Sequence, residues 1–333
     1  MPTLDKSCFL LDNFRVKEMK TLKRSFSKFL TKLLVAALTA MMFVTVSFAQ
    51  DTQGACGKSA QWSFDAGTGM LTVTGSGDMT DYYDPSEAPW YAFSKDIKSI
   101  KISEGITKIG SSNFQNSESL TSVSLPSSLT EVGGFAFLGC TVIEEIKLPA
   151  SVNKIGESAF ARCPALKEIP ITDKVSVIED NTYADCTGIK KVAIPAGVTK
   201  IEKYAFAGCV NLEEATLPDG ITAIEEGTFY YCAKLKSVRI PYSVTAIGQN
   251  AFDGCPELAK VDYRGSEGEW ANIPSVSGND ILKKAAVTYA NENPNLDEDK
   301  GLSLTVIIII AVAAVGIAAV VSVVIIKKKK SKK

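Results

Sequence analysis

The side chains best placed to do chemistry are six cysteines at one fixed interval: Cys140, Cys163, Cys186, Cys209, Cys232 and Cys255, each 23 residues from the next. Thiols repeated in this way could pair as disulfides, hold a soft metal or act as nucleophiles. Zinc finds no support, because the chain has no histidine and no CxxC pair. Disulfides are permitted in an oxidising compartment, but joining evenly repeated side chains would twist them out of their common direction. Catalysis needs perturbable groups converging in a cleft. There is no GxSxG elbow, P-loop or HExxH helix, and the carboxylates fall on slots that read as solvent-facing. The expectation is a non-enzyme with no catalytic residue, no metal and no cofactor.

What the thiols can do instead is pack. An aromatic ring stands three residues before each of them, and the same slot occurs once more upstream with serine in the thiol position. The ring slots are Phe114, Phe137, Phe160, Tyr183, Phe206, Phe229 and Phe252, with Ser117 preceding the six cysteines in the other column. Leu120, Ile143, Leu166, Ile189, Leu212, Leu235 and Leu258 follow six residues after each ring. A period inside the range of roughly 20–29 residues reads as a solenoid whose units bury their apolar sides against one another. Stacked in register, ring would lie over ring and thiol over thiol, as buried and reduced internal columns.

The elements that position these columns are short strands. In LTSVSLP, Val123 and Leu125 alternate with Ser122 and Ser124, the two-residue period of a half-buried strand. One such strand per unit is expected, stacked in parallel and stopped by Pro126, Pro149, Pro195, Pro218 or Pro241. The fourth unit departs, with Pro170 two residues early and Thr172 in the usual proline slot. The outward slots vary from unit to unit, and Glu145, Lys147, Glu168, Lys191, Glu214, Thr216 and Arg239 form the candidate recognition face. The fold class expected is mainly β: a solenoid of seven 23-residue units over 99–263, with N- and C-terminal caps and one transmembrane helix.

A solenoid needs its end rungs covered. Residues 50–98 hold WSFD and MLTVTG joined by AGTG, a hairpin signal, with Trp90 placed to seal the first rung. Residues 264–290 form the second cap, ending in an edge strand at 286–289.

Outside the caps the chain reads as exported and anchored. Residues 1–49 carry a basic segment, an apolar run from Leu33 and small residues before Gln50, the pattern of a secretory signal; Met19 opens a more usual signal than Met1. Residues 291–300 form an acidic stalk, 301–326 a transmembrane helix and 327–333 a lysine-rich tail. The topology implied is single-pass at the cell membrane, with the repeats extracellular and the tail cytoplasmic, so that membrane lipid is a partner through the C-terminal helix. Without the leader and tail, 22 basic residues face 34 acidic ones, a balance that excludes nucleic acid as a partner.

The phrase I/V-x-x-I-G-x-x-A-F-x-G-C-x-x-L-x-x-V-x-L-P, fullest at Val152 to Cys163 and Val244 to Cys255, resembles the BspA-like, or Treponema pallidum type, leucine-rich repeat family over roughly 55–290. The resemblance implies a cell-surface protein, with adhesion among the family's reported roles, and carries no binding residues over. The chain departs from many bacterial relatives in lacking LPxTG before Leu302 and a lipobox cysteine after the leader. The function expected is a membrane-anchored surface protein binding an unknown protein or surface polymer outside the cell. The alternative is a structural spacer or sensor component of the envelope.

Overall fold

The computed structural model describes residues 31–32, 51–274 and 277–290. The chain divides into two units, Met1–Asp51 and Thr52–Lys333. Of the first, Thr31 and Lys32 are helical and exposed; the second holds the fold.

Most coils carry two short parallel strands rather than the single one expected, and two coils keep only the second. The first ladder begins Ser99–Ile102 and Ser122–Ser124, and resumes as Lys191–Ala193, Glu214–Thr216, Ser237–Ile240 and Lys260–Tyr263. Partners are 23 residues apart, as in Val192↔Ala215 and Ala215↔Val238. The second ladder runs through Ile106–Ile109, Glu131–Val132 and Lys154–Ile155, then the pair Val177–Ile178 with Lys200–Ile201 and the pair Ala223–Ile224 with Ala246–Ile247. Its strands are mostly two residues long, too short for any alternation to show.

A third set of hydrogen bonds joins successive coils around each ring. The amides of Phe135, Phe137 and Gly139 donate to the carbonyls of Glu157, Ala159 and Ala161 at 2.9, 2.8 and 2.9 Å, and the next coils repeat the pattern. The backbone can offer three parallel donors because positive φ recurs two residues either side of the ring, as at Asn181 (55°) and Asp185 (59°) around Tyr183. Asn and Asp tolerate that region better than most residues.

The inner sides of the three sets form one continuous core. Phe114, Phe137, Phe160, Tyr183, Phe206, Phe229 and Phe252 are buried. Neighbouring ring centroids lie 5.4–5.9 Å apart from Phe114 to Phe252, within the range where aromatic pairs attract.

The N-terminal cap templates both strand ladders at once. Gly57–Asp65 pairs antiparallel with Met70–Met79, whose first half lies parallel to Ser99–Ile102 and whose second half meets Ile106–Ile109. Gly75 stands between the halves at φ 104°, where an added Cβ would come within 2.0 Å of the Ser59 carbonyl. Trp90 then stacks on Phe114 at 5.7 Å, extending the ring column. It is 1% exposed, so it is a plug and no ligand platform.

At the other end Ala286–Tyr289 pairs with Lys260–Tyr263, and Trp270 covers Tyr263 at 5.2 Å. The helix between them, Glu267–Ala271, starts at a capping box of Ser266 and Glu269.

One part of the expected fold class is corrected. A membrane span needs about 20 apolar residues in one helix. Among the described residues no helix is long and apolar enough to cross a membrane, and the α-helix of the caps has five residues. The transmembrane helix is therefore not part of the fold described, and the single-pass localisation, the anchoring and the lipid partner that rest on it are not carried further. The leader at 1–49, the stalk at 291–300, the segment 301–326 and the tail at 327–333 lie outside the described residues, apart from 31 and 32.

Candidate recognition surface

The repeated thiols are structural hydrogen-bond donors. Each Sγ reaches back to the carbonyl of the aromatic residue in the preceding coil: Cys140 to Phe114 at 3.3 Å, Cys163 to Phe137 at 3.2 Å, Cys186 to Phe160 at 3.1 Å. Cys209, Cys232 and Cys255 do the same to Tyr183, Phe206 and Phe229 at 3.2, 3.2 and 3.1 Å. All six are free and buried. Burial pushes the Cys163 and Cys209 thiols up to about 12, and those of Cys140, Cys186 and Cys232 well above their ordinary range. Thiols held neutral in this way are poor nucleophiles near pH 7. The spacing alone did not reveal this bond; the retention of cysteine over alanine in six successive coils was its trace.

The outward face of the first ladder is built by the strand alternation. Where Val192, Ala215 and Val238 point into the core, Lys191, Glu214 and Thr216 point to solvent. Glu145, Lys147 and Glu168 are also exposed, in two coils where the ladder is interrupted, and Arg239 is half-buried. Parallel register puts Lys191, Glu214, Ser237 and Lys260 in one row, about 4.8 Å apart.

The row is partly self-neutralised. Lys191 meets Glu214 at 2.9 Å across coils, and Lys147 meets Glu145 at 3.2 Å within one. Arg239 lies 3.8 Å from Asp262. Glu168 has no ion-pair partner among the described residues. Pro170, which the alternation puts outward, is buried.

A second charged line follows the second ladder. Lys108 sits between Asp81 at 2.8 Å and Glu131 at 3.4 Å, and Lys154 reaches Glu131 at 3.2 Å. Beside it opens a groove of about 470 Å³ at the junction of cap and solenoid. Sequence reading missed it, because its walls are drawn from the cap and four successive coils, from Asp81 to Glu179.

Residues 88–213 and 158–271 match the BspA type leucine rich repeat region, with six copies. The chain belongs to this family. Membership is consistent with a non-enzymatic scaffold, and among the described residues no group of three or more His, Cys, Asp or Glu is placed to hold a metal ion. Three solved structures with similar repeats illustrate the range. A leucine-rich repeat protein of Eubacterium ventriosum is 20% identical, with 64% of this chain and 72% of that one covered at a TM-score of 0.48. For a Bacteroides ovatus leucine-rich repeat protein the values are 22%, 70%, 70% and 0.48. For the T. pallidum leucine rich repeat protein they are 23%, 61%, 90% and 0.45. No curated protein matches the chain.

Proposed function

We propose that this BspA-type solenoid is an exported recognition scaffold that binds a protein or surface polymer outside the cell, using the outward rows of its first ladder. The observation that carries the reading is the row itself. Core positions repeat almost without change, whereas Glu145, Glu168, Lys191 and Glu214, 23 residues apart in sequence, are all exposed and differ in charge, the last two paired in register. An extended partner can be read by side chains so spaced. The leader-like residues 1–49 support an extracellular site of action.

Binding of the protein to panels of host matrix proteins and microbial surface polymers tests the proposal. Charge reversal at Glu145, Glu168 and Glu214 should abolish the binding found. A partner bound equally well by the reversed protein overturns the choice of face, and no partner across the panels overturns the scaffold reading. The pairing of Lys191 with Glu214 and of Lys147 with Glu145 favours a second reading, a spacer whose charges serve solubility. A spacer would tolerate all three reversals in cells.

A further inference from the structure

One coil departs from its neighbours at two adjacent positions. Three residues before the ring, the other coils carry Ser111, Glu157, Asp180, Lys203, Glu226 and Gln249, where this coil has Gly134. The next position is Ser, Asn, Tyr or Gly in the other coils and Phe135 here. Phe135 holds φ at 58°, a conformation costly for a bulky side chain, and it is only half-buried. The fold does not require a phenyl ring in this slot, since Ser112 and Ser158 occupy it in the adjoining coils. Tyr204 is the other aromatic in this slot, at φ 56°, but only at Phe135 does a glycine precede the ring, and a Cβ on that glycine would crowd Glu157 at 3.3–3.4 Å.

Gly134 and Phe135 open the groove at the junction of cap and solenoid. Tyr83, fully exposed, stands on its rim. The lysines on its wall are occupied: Lys108 by Asp81 and Glu131, and Lys154 by Glu131. Glu157 and Glu179 also line the groove and have no ion-pair partner among the described residues. Burial, with Glu202 and Asp180 nearby, pushes the Glu179 carboxyl upward even though Lys154 and Lys200 act against it, so further positive charge there would relieve it. Two aromatic faces and two unpaired carboxylates in one concavity suit a planar cation, which can stack on a ring while its N–H fork meets carboxylates.

Resting on the scaffold reading above, we infer that this groove is a pocket for an arginine side chain presented by a basic segment of a protein partner. The ligand fits the surplus of 34 acidic over 22 basic residues outside leader and tail. It also gives the partner a chemistry that the first-ladder rows, with their mixed charges, leave open.

The test uses the full-length protein and three blocked pentapeptides of Gly-Xaa-Gly-Xaa-Gly form, with arginine, lysine or the uncharged citrulline as Xaa. The arginine peptide should bind at least about tenfold more tightly than the citrulline peptide, the loss expected for one charge-assisted contact. The double variant Glu157→Gln/Glu179→Gln should lose that preference, and Tyr83→Ala should weaken binding severalfold, both with an unchanged thermal midpoint. Equal binding of arginine and citrulline peptides overturns the inference, as does wild-type affinity in either variant. A lysine peptide as tight as the arginine one overturns the guanidinium assignment. Reversals at Glu145, Glu168 and Glu214 should leave peptide binding intact. If a natural partner is lost by those reversals and unaffected by the groove variants, the groove inference fails while the scaffold reading stands.

Discussion

Tyr183 donates its phenol hydroxyl to the carbonyl of Pro170 at 2.9 Å. These residues are the two departures of the fourth unit, a tyrosine among six phenylalanines and a proline two places early. The early proline is buried, in a coil where the first ladder is interrupted. A buried carbonyl without a ladder partner is costly, and the extra hydroxyl of the ring column supplies the partner. Burial pushes the Tyr183 phenol far upward, so it remains a protonated donor across the working pH range.

Tyr183→Phe should therefore destabilise the protein, although it restores the ring found in every other unit. The loss expected for one orphaned buried acceptor is about 1–3 kcal/mol. Urea denaturation followed by circular dichroism measures it, and an unchanged midpoint would refute the compensation.

Phe206 lies between Tyr183 at 5.5 Å and Phe229 at 5.7 Å and is fully buried. Phe206→Ala leaves a cavity that neighbouring coils cannot close without breaking their register, so it should cost about 3–5 kcal/mol. In a stack stabilised by nearest neighbours, the weak coil should also separate the two halves. The expected denaturation curve has two steps where the wild type has one, and a single transition at the wild-type midpoint would remove Phe206 from the core.

The legible and the hidden parts of this fold differ by periodicity. A ring every 23 residues is visible by self-comparison, and stacking follows from identical units. The second ladder was hidden because pairs such as Lys154–Ile155 are too short to alternate. The third was hidden because positive φ at Ser112, Asn181 and Asn250 removes the two-residue side-chain period. On the candidate face, alternation located Lys191 and Glu214 but said nothing of the 2.9 Å contact between them. The groove rests on Gly134, Phe135 and Tyr83, each a single occurrence, and self-comparison averages such residues away.

The thiol column predicts alkaline lability. Folding holds Cys163 and Cys209 at about 12 against an ordinary value of 9.0. Below pH 9 both states keep their protons, and the thiols make no pH-dependent difference. Between about 9 and 12 the unfolded chain releases protons that the folded chain retains, so stability falls by about 1.4 kcal/mol per pH unit for each such thiol. Denaturation midpoints measured from pH 7 to 11 should be flat and then drop steeply. The drop should be shallower in Cys163→Ala/Cys209→Ala, and a wild-type profile flat to pH 11 would contradict buried neutral thiols.

At the far end of the third hydrogen-bond set the Asn279 side chain takes the place of a coil opposite the ring, while the Ser277 carbonyl accepts from the Asn250 amide at 2.9 Å. The Asn279 Oδ1 accepts from the Phe252 amide at 3.0 Å, as the Ala251 carbonyl accepts from Phe229 at 2.9 Å one coil earlier, and its Nδ2 donates to the Gly248 carbonyl at 2.8 Å. At the opposite end the Trp90 indole donates to the Asn113 carbonyl at 2.7 Å, so each terminal coil meets an amide or indole side chain alongside cap backbone such as Ser277 and Tyr82. Asn279→Ala strips two backbone groups of their partners, and Asn279→Asp keeps the acceptor while removing the donor. The alanine variant should lose about 2–4 kcal/mol, two buried groups at the usual cost of an orphan, and the aspartate variant less. Amide exchange localises the effect: Phe252 should exchange much faster in Asn279→Ala, while Phe160, four coils away, should slow or quicken only with global stability. Equal protection of Phe252 in wild type and Asn279→Ala would show that the cap holds the last coil by apolar contact alone.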